Sequence, residues 1–80
     1  MSRALAHALA PRIRVNAIAP GPVLLPEHWD AGQADHLIST TPLRRLGSPD
    51  DVVGAVVYLL EADYVTGATI VVDGGRHVRT

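Results

Sequence analysis

Two apolar runs, each ending at a backbone turn, most constrain how this chain folds. The runs and their turns are Val15–Ala19 before Pro20-Gly21, and Ala68–Val72 before Asp73-Gly74-Gly75. Short runs of small and β-branched residues bounded by Pro or Gly are typical of strands covered on both faces. The pattern predicts strands at about 13–19 and 68–72. Three prolines and a glycine predict a loop over 20–26.

A strong helix start lies between the two runs. Ser48 is a suitable N-cap, Pro49 occupies the first helical position, and Asp50-Asp51 favours the positive end of the helix dipole. These signals predict a helix over 49–61. Its apolar surface is wider than one stripe, which predicts burial between a sheet and a further surface, with Gly54 allowing close approach.

Two weaker helical patterns lie outside this strand–helix–strand unit. Ser2–Ala10 is rich in Ala and Leu and stops at Pro11, and its start with little capping signal suggests the end of a longer helix. Glu27–Thr40 has a loose helical pattern that Gly32 weakens. The central unit predicts parallel strands joined by a right-handed crossover, so both strand ends lie on one edge. Open α/β sheets bind ligands at that edge.

Composition indicates one small domain and disfavours several function classes. The 80 residues carry a net charge of −1, and all seven cations are arginines that form no stripe suited to a phosphate backbone. We therefore expect neither nucleic acid nor membrane as partner, since the longest apolar stretch, Val52–Leu60, is too short to span a bilayer. The chain has no cysteine, its four histidines show no metal-ligand spacing, and the cytoplasm is the default location.

Three blocks carry a resemblance to a known family. They are residues 13–23 (IRVNAIAPGPV), 42–52 (PLRRLGSPDDV), and Tyr64-Val65-Thr66-Gly67 followed by Val72-Asp73-Gly74-Gly75. In this order and spacing the chain resembles the carboxyl-terminal portion of short-chain dehydrogenase/reductases. Leu24-Leu25-Pro26-Glu27 and the short turn at 60–64 look most like pteridine reductase-type members. The resemblance implies an α/β chain that is the carboxyl-terminal part of a Rossmann-type doubly wound parallel sheet.

The resemblance also implies which residues form a site. The cofactor would be NADP(H) or NAD(H), with NADP(H) favoured, and the substrate a small molecule with a carbonyl or pterin-like group. Cofactor contacts fall on Pro20, Gly21, Pro22, Val23 and Leu25. Leu25 stands where many relatives have threonine, so its contact must be apolar or through the backbone. Leu24, Leu25 and Trp29 would line the substrate pocket, although packing in a core or interface explains these apolar side chains equally well.

No residue of this chain is assigned a catalytic role. The family's glycine-rich loop, catalytic serine, and tyrosine–lysine pair would all lie before Met1, so we expect the amino-terminal part of the domain to be absent and the chain to be inactive by itself. The resemblance also implies a homo-oligomer, a tetramer in the family. A non-catalytic interaction module that uses the strand edge and the 49–61 helix is the alternative, and a DNA-binding helical domain is disfavoured by charge.

Sequence reasoning assigns structural roles to three polar residues near these blocks. Asn16 is expected to tie its strand to neighbouring backbone rather than to contact a ligand. Arg45 and Asp51 are interpreted as a cap with its neighbouring charge.

Overall fold

A computed structural model describes residues 2–23 and 27–78. The elements in chain order are α1 (Ser2–Leu9), β1 (Ala17–Pro20), α2 (Ala31–Ser39), α3 (Pro49–Glu61) and β2 (Thr69–Val72). The strands β1 and β2 are parallel neighbours, with Ala17 opposite Thr69 and Pro20 opposite Val72. The predicted α/β class and parallel pairing are confirmed.

The first strand is shorter and later than the sequence pattern predicted. It begins at Ala17 rather than near residue 13, because its partner strand begins only at Thr69. Pro20, predicted to open the loop, instead ends β1. The amide N–H groups of Ala17 and Gly21 donate to β2 or its lead-in, so the nitrogen of Pro20 falls at the alternate position that faces away from β2.

Side-chain hydrogen bonds hold the amino-terminal end of the sheet. Asn16 Nδ2 donates to the Val65 carbonyl and Asn16 Oδ1 accepts from the Ala68 N–H, both at 3.0 Å. The predicted strand-tying role of Asn16 is confirmed. Arg14 extends its guanidinium to carbonyl oxygens at the end of α3, the closest being that of Leu59 at 2.7 Å. A guanidinium there satisfies orphan carbonyls and complements the helix dipole.

Helix α3 begins as its sequence predicts but is less covered than expected. Its N-cap is Ser48, whose N–H donates to Asp51 Oδ2 at 2.8 Å. The helix packs against both strands, and its half-buried positions recur on one face at Val52, Ala55 and Leu59. The predicted burial between two surfaces is wrong: no residue of α3 is buried, and nothing lies within 4 Å of a Cβ built on Gly54.

The two-stranded sheet is covered on one face. Ile18 and Ile70 are opposite each other and half-buried, whereas the next pair, Ala19 and Val71, is exposed. Successive strand side chains point to opposite faces, so α3 covers one face and the other stays open. The prediction that both strands are covered on both faces is therefore wrong for the described residues.

Helices α1 and α2 match their predicted positions with tighter bounds. α1 ends at Leu9, and α2 spans Ala31–Ser39 within the predicted 27–40 segment. The start of α2 is a capping box in which Asp30 and Gln33 exchange side-chain-to-backbone hydrogen bonds of 2.8 and 2.9 Å. None of the described helices is long and apolar enough to cross a membrane.

Candidate functional site

The carboxyl ends of β1 and β2 meet in a close backbone contact. Gly21 continues the ladder by donating its N–H to the Val72 carbonyl at 2.8 Å. A Cβ built on Gly21 would lie 2.7 Å from Asp73 Cβ and 2.9 Å from Asp73 Cα. Glycine is required at this point because any side chain would force the two strand ends apart.

The Asp73 carboxylate organises the turn that follows β2. It accepts hydrogen bonds from the backbone N–H groups of Gly75 at 2.9 Å and His77 at 3.0 Å. His77 Nδ1 lies 2.9 Å from Asp73 Oδ2. Burial raises the pKa of Asp73, but the hydrogen bonds from the His77 ring and from the Gly75 and His77 amides outweigh burial, so this pKa lies below its usual value.

The same turn packs against the segment that follows α2. Gly74 and Gly75 have positive φ angles of 66° and 91°, and a Cβ on Gly74 would lie 2.7 Å from Thr41 Cγ2. The turn after β2, predicted at residues 73–75, is present. Arg76 Nη1 donates to the hydroxyls of Thr40 and Thr41 at 3.0 and 3.2 Å, which holds the end of α2 to the turn.

An ion pair lies at the start of α3, near the carboxyl ends of the strands. Arg45 and Asp51 form two hydrogen bonds of 2.9 and 3.0 Å. The hydrogen bond from Arg45, followed by that from the Ser48 N–H, holds the pKa of Asp51 well below its usual range. Asp51 also braces the N-cap, which agrees with the structural role predicted for the pair. A Cβ on Gly47 would lie 3.1 Å from Val23 Cγ1, so the connector before α3 contacts the residues after β1.

A cleft of about 290 Å³ opens beside these strand ends. It lies between the end of α2, the connector before α3 and the turn after β2. Its main lining side chains are those of Leu37, Leu43, Leu46, Val71, Arg76 and His77. Leu37 and Thr41, which is also in the lining, are among the few buried residues of the described chain.

The structure unites only part of the predicted site. Pro20, Gly21, Pro22 and Val23 are contiguous at the carboxyl edge, where Pro22 also lines the cleft. Trp29 is half-buried just before α2 and does not line the cleft. Leu24 and Leu25 lie outside the described residues.

Sequence reasoning missed the residues that line the cleft from the chain's later half. Arg76 and His77 follow the turn 73–75 that ends the second predicted strand, and position after a parallel strand is the signal that could have indicated them. Within 2–23 and 27–78, no cluster of three or more His, Asp or Glu side chains could hold a metal ion.

Comparison with known proteins gives a consistent family. The family model for enoyl-(acyl carrier protein) reductase matches residues 1–77. A Streptomyces violaceoruber protein named as ketoacyl reductase 2 of the granaticin polyketide synthase is 46% identical over 96% of this chain and 32% of its own length. A dihydromonapterin reductase of Escherichia coli is 38% identical over 99% of this chain and 33% of its own.

Solved structures agree with the curated relatives. A short-chain dehydrogenase/reductase from Brucella melitensis superposes with a TM-score of 0.87 at 37% identity, over 99% of this chain and 34% of its own. Alternative dihydrofolate reductase 1 from Brucella canis, complexed with NADP, gives 0.86 at 43% identity, over 99% and 32%. A 4-hydroxyisoleucine dehydrogenase complexed with NADH gives 0.88 at 29%, over 99% and 35%.

The chain thus spans about a third of the length of the relatives it matches. The family model covers nearly the whole chain, and the fold agrees with solved members. The chain belongs to the short-chain dehydrogenase/reductase family.

Proposed function

We propose that the edge formed by Pro20, Gly21, Pro22 and Val23 contacts the nicotinamide of NADP(H) or NAD(H) in an oxidoreductase, with NADP(H) favoured. The observation that carries the proposal is the packing of Gly21 against Asp73 at the carboxyl ends of two parallel strands. Open α/β sheets bind ligands at this position. Leu25 belongs to the same proposed contact, through apolar or backbone groups.

The chemistry of the turn fits a flat ring that carries an amide. Pro20 and Pro22 are exposed and have no N–H, and Gly21 has no side chain, so the turn offers apolar ring surface and backbone carbonyls. When bound, the nicotinamide supplies or accepts the hydride. The residues of this chain orient the ring and exclude water from one side of it.

We propose a small-molecule substrate with a carbonyl or a conjugated C=N bond of a pterin-like ring. Leu24, Leu25 and Trp29 are the proposed pocket wall. The dihydromonapterin reductase and alternative dihydrofolate reductase relatives support the pterin-like substrate, and the ketoacyl reductase relative supports a carbonyl.

Proton transfer is not assigned to any residue of this chain. The sequence contains no lysine, so the family's tyrosine–lysine pair has no counterpart in it. We therefore expect the 80-residue chain to contribute the nicotinamide edge without turning over substrate by itself.

Exposed apolar residues on α3 support self-association. Val53, Val57 and Leu60 are 53%, 46% and 69% exposed, and Tyr64 beyond the helix is fully exposed. Such a patch favours burial against another protein surface. A homo-oligomer is the proposed form, and a non-catalytic association module is the second candidate function. Sedimentation and thermal melting of the 80-residue chain distinguish the two functions. A discrete, cooperatively melting assembly favours the module, whereas an aggregating or unfolded chain favours the oxidoreductase segment.

A hybrid enzyme tests the oxidoreductase proposal. Residues 1–80 replace the matching segment of the E. coli dihydromonapterin reductase, and NADPH oxidation is followed with dihydromonapterin and with a β-ketoacyl thioester. We expect turnover by the hybrid and none by the 80-residue chain. A Gly21→Leu hybrid is the matched variant and should lose NADPH binding, measured by cofactor fluorescence. A folded hybrid that binds no nicotinamide cofactor would contradict the proposal.

A further inference from the structure

We propose that Asp73 is a positioning residue that fixes the Pro20–Gly21 turn against the end of α2. The inference concerns how the turn is held, and its consequence for the cofactor rests on the function proposed above. Asp73 contacts the turn through its own backbone and Cβ, which face Gly21 at the limit of close packing. Apart from its chain neighbours, the three heavy atoms nearest to a Cβ built on Gly21 all belong to Asp73, at 2.7, 2.9 and 3.7 Å.

The Asp73 side chain fixes its own position through the residues that follow it. Its side chain is 11% exposed, and its carboxylate accepts hydrogen bonds from the Gly75 and His77 amides and contacts the His77 ring. Three interactions from one short side chain leave the backbone of residues 73–77 little freedom. The position of Asp73 relative to Gly21 is therefore determined by the turn at 73–77 as well as by the β-ladder.

The same turn reaches the other side of the cleft. The Gly74 carbonyl accepts from the Leu43 N–H at 3.0 Å, and Arg76 donates to the hydroxyls of Thr40 and Thr41. Asp73 thus lies at the joint between the residues after β1 and the residues after α2. We expect loss of its carboxylate to loosen both contacts, and with them the Gly21 N–H to Val72 hydrogen bond at the end of the ladder.

The experiment uses the hybrid enzyme carrying Asp73→Ala, Asp73→Asn or Asp63→Ala. Asp63→Ala is the matched control, because Asp63 is an exposed aspartate on the turn after α3 at the opposite end of the sheet. Asp73→Ala should raise the KM for NADPH roughly tenfold, which corresponds to about 1.4 kcal/mol of binding free energy. It should change kcat much less, because Asp73 acts through the Pro20–Gly21 turn and does not contact the reacting atoms. Asp73→Asn keeps one acceptor and should recover part of the loss, whereas Asp63→Ala should match the parent.

Two outcomes overturn the inference. One is an unchanged KM in a folded Asp73→Ala hybrid, and the other is an equal change in Asp73→Ala and Asp63→Ala. If Asp73→Ala fails to fold, the Asp73→Asn comparison decides on the same criterion.

The inference can fail separately from the proposed function. An inactive parent hybrid counts against the function, and the Gly21 amide of the 80-residue chain then tests the positioning role directly. Asp73→Asn should shift the Gly21 amide resonance and speed its hydrogen exchange relative to that of Ala17, whose N–H donates to the Ala68 carbonyl at the opposite end of the ladder. The positioning role would be refuted if Asp73→Asn left the protection of Gly21 unchanged, or changed it only as much as that of Ala17.

Discussion

The two ends of the small sheet are held together by different means. At the amino-terminal end, polar side chains that precede β1 form hydrogen bonds to backbone. Asn16 binds the Val65 carbonyl and the Ala68 N–H, and Arg14 binds carbonyls at the end of α3. At the carboxyl-terminal end, the strands touch directly at Gly21 and Asp73. Side-chain bridges fill space, whereas a glycine contact leaves the outer surface of the turn open. The first arrangement suits a structural joint, and the second suits a ligand edge.

The largest effect is expected for a substitution of Asn16, which holds the amino-terminal end of the sheet. Asn16→Ala leaves the Val65 carbonyl and the Ala68 N–H without their partner, and each unsatisfied, partly buried group costs about 1–3 kcal/mol. We expect a loss of about 2–3 kcal/mol in the free energy of unfolding, measured by urea denaturation followed by circular dichroism. Asn16→Asp retains the acceptor for Ala68 and should lose less. A loss under about 0.5 kcal/mol, the usual range for surface changes, would show that this end is not held by Asn16.

A pair of glycine substitutions sharpens the contrast at the carboxyl-terminal end. Gly74→Ala places a Cβ 2.7 Å from Thr41 Cγ2 at a φ of 66°, which should cost about 1–2 kcal/mol. Gly54→Ala is the matched control within α3, where the new Cβ meets nothing within 4 Å, and it should stabilise by up to about 1 kcal/mol. Thermal melting of both variants gives the signs. If Gly74→Ala does not lower the melting temperature, the turn after β2 does not depend on the glycine at 74.

The sequence predicts features that depend on neighbouring residues better than features that depend on a distant partner. The start of α3 could be predicted to the residue, because Ser48, Pro49 and Asp51 act within one turn of helix. The start of β1 could not, since Ile13 and Val15 carry an alternating pattern but their strand partner begins only at Thr69. Local signals determine where an element can form, and the partner determines how much of it pairs.

The candidate site combines a turn that the sequence indicates with a cleft that it does not. Pro20-Gly21 marks a turn by composition, so the sequence indicates the edge itself. The cleft beside it joins Leu37, Leu43 and Arg76, which are separated by as many as 39 positions and share no motif. Burial of α3 was overestimated because an apolar pattern records what a helix can cover, not what this chain provides to cover it.

The smallest expected effect is a difference in acid sensitivity between the two ends. Both carboxyls with lowered pKa values, Asp51 and Asp73, lie at the carboxyl-terminal end, paired with Arg45 and His77. A carboxyl whose folded pKa is lowered stabilises the fold above its unfolded pKa of about 3.9, and this contribution is lost as the pH falls through the folded value. The amino-terminal joint depends on the Asn16 amide and the Arg14 guanidinium rather than on a carboxylate.

Hydrogen exchange between pH 5 and pH 2 measures this difference. After correction for intrinsic exchange rates, the Gly75 and His77 amides should lose protection first, because their N–H groups donate to the Asp73 carboxylate. The Ala68 amide, held by Asn16, should keep its protection to lower pH. The Asp73→Asn variant should remove the pH dependence at Gly75 and leave Ala68 unaffected. Simultaneous loss at Gly75 and Ala68 would mean that the two ends open as one cooperative unit, because independent joints must lose protection at different pH values.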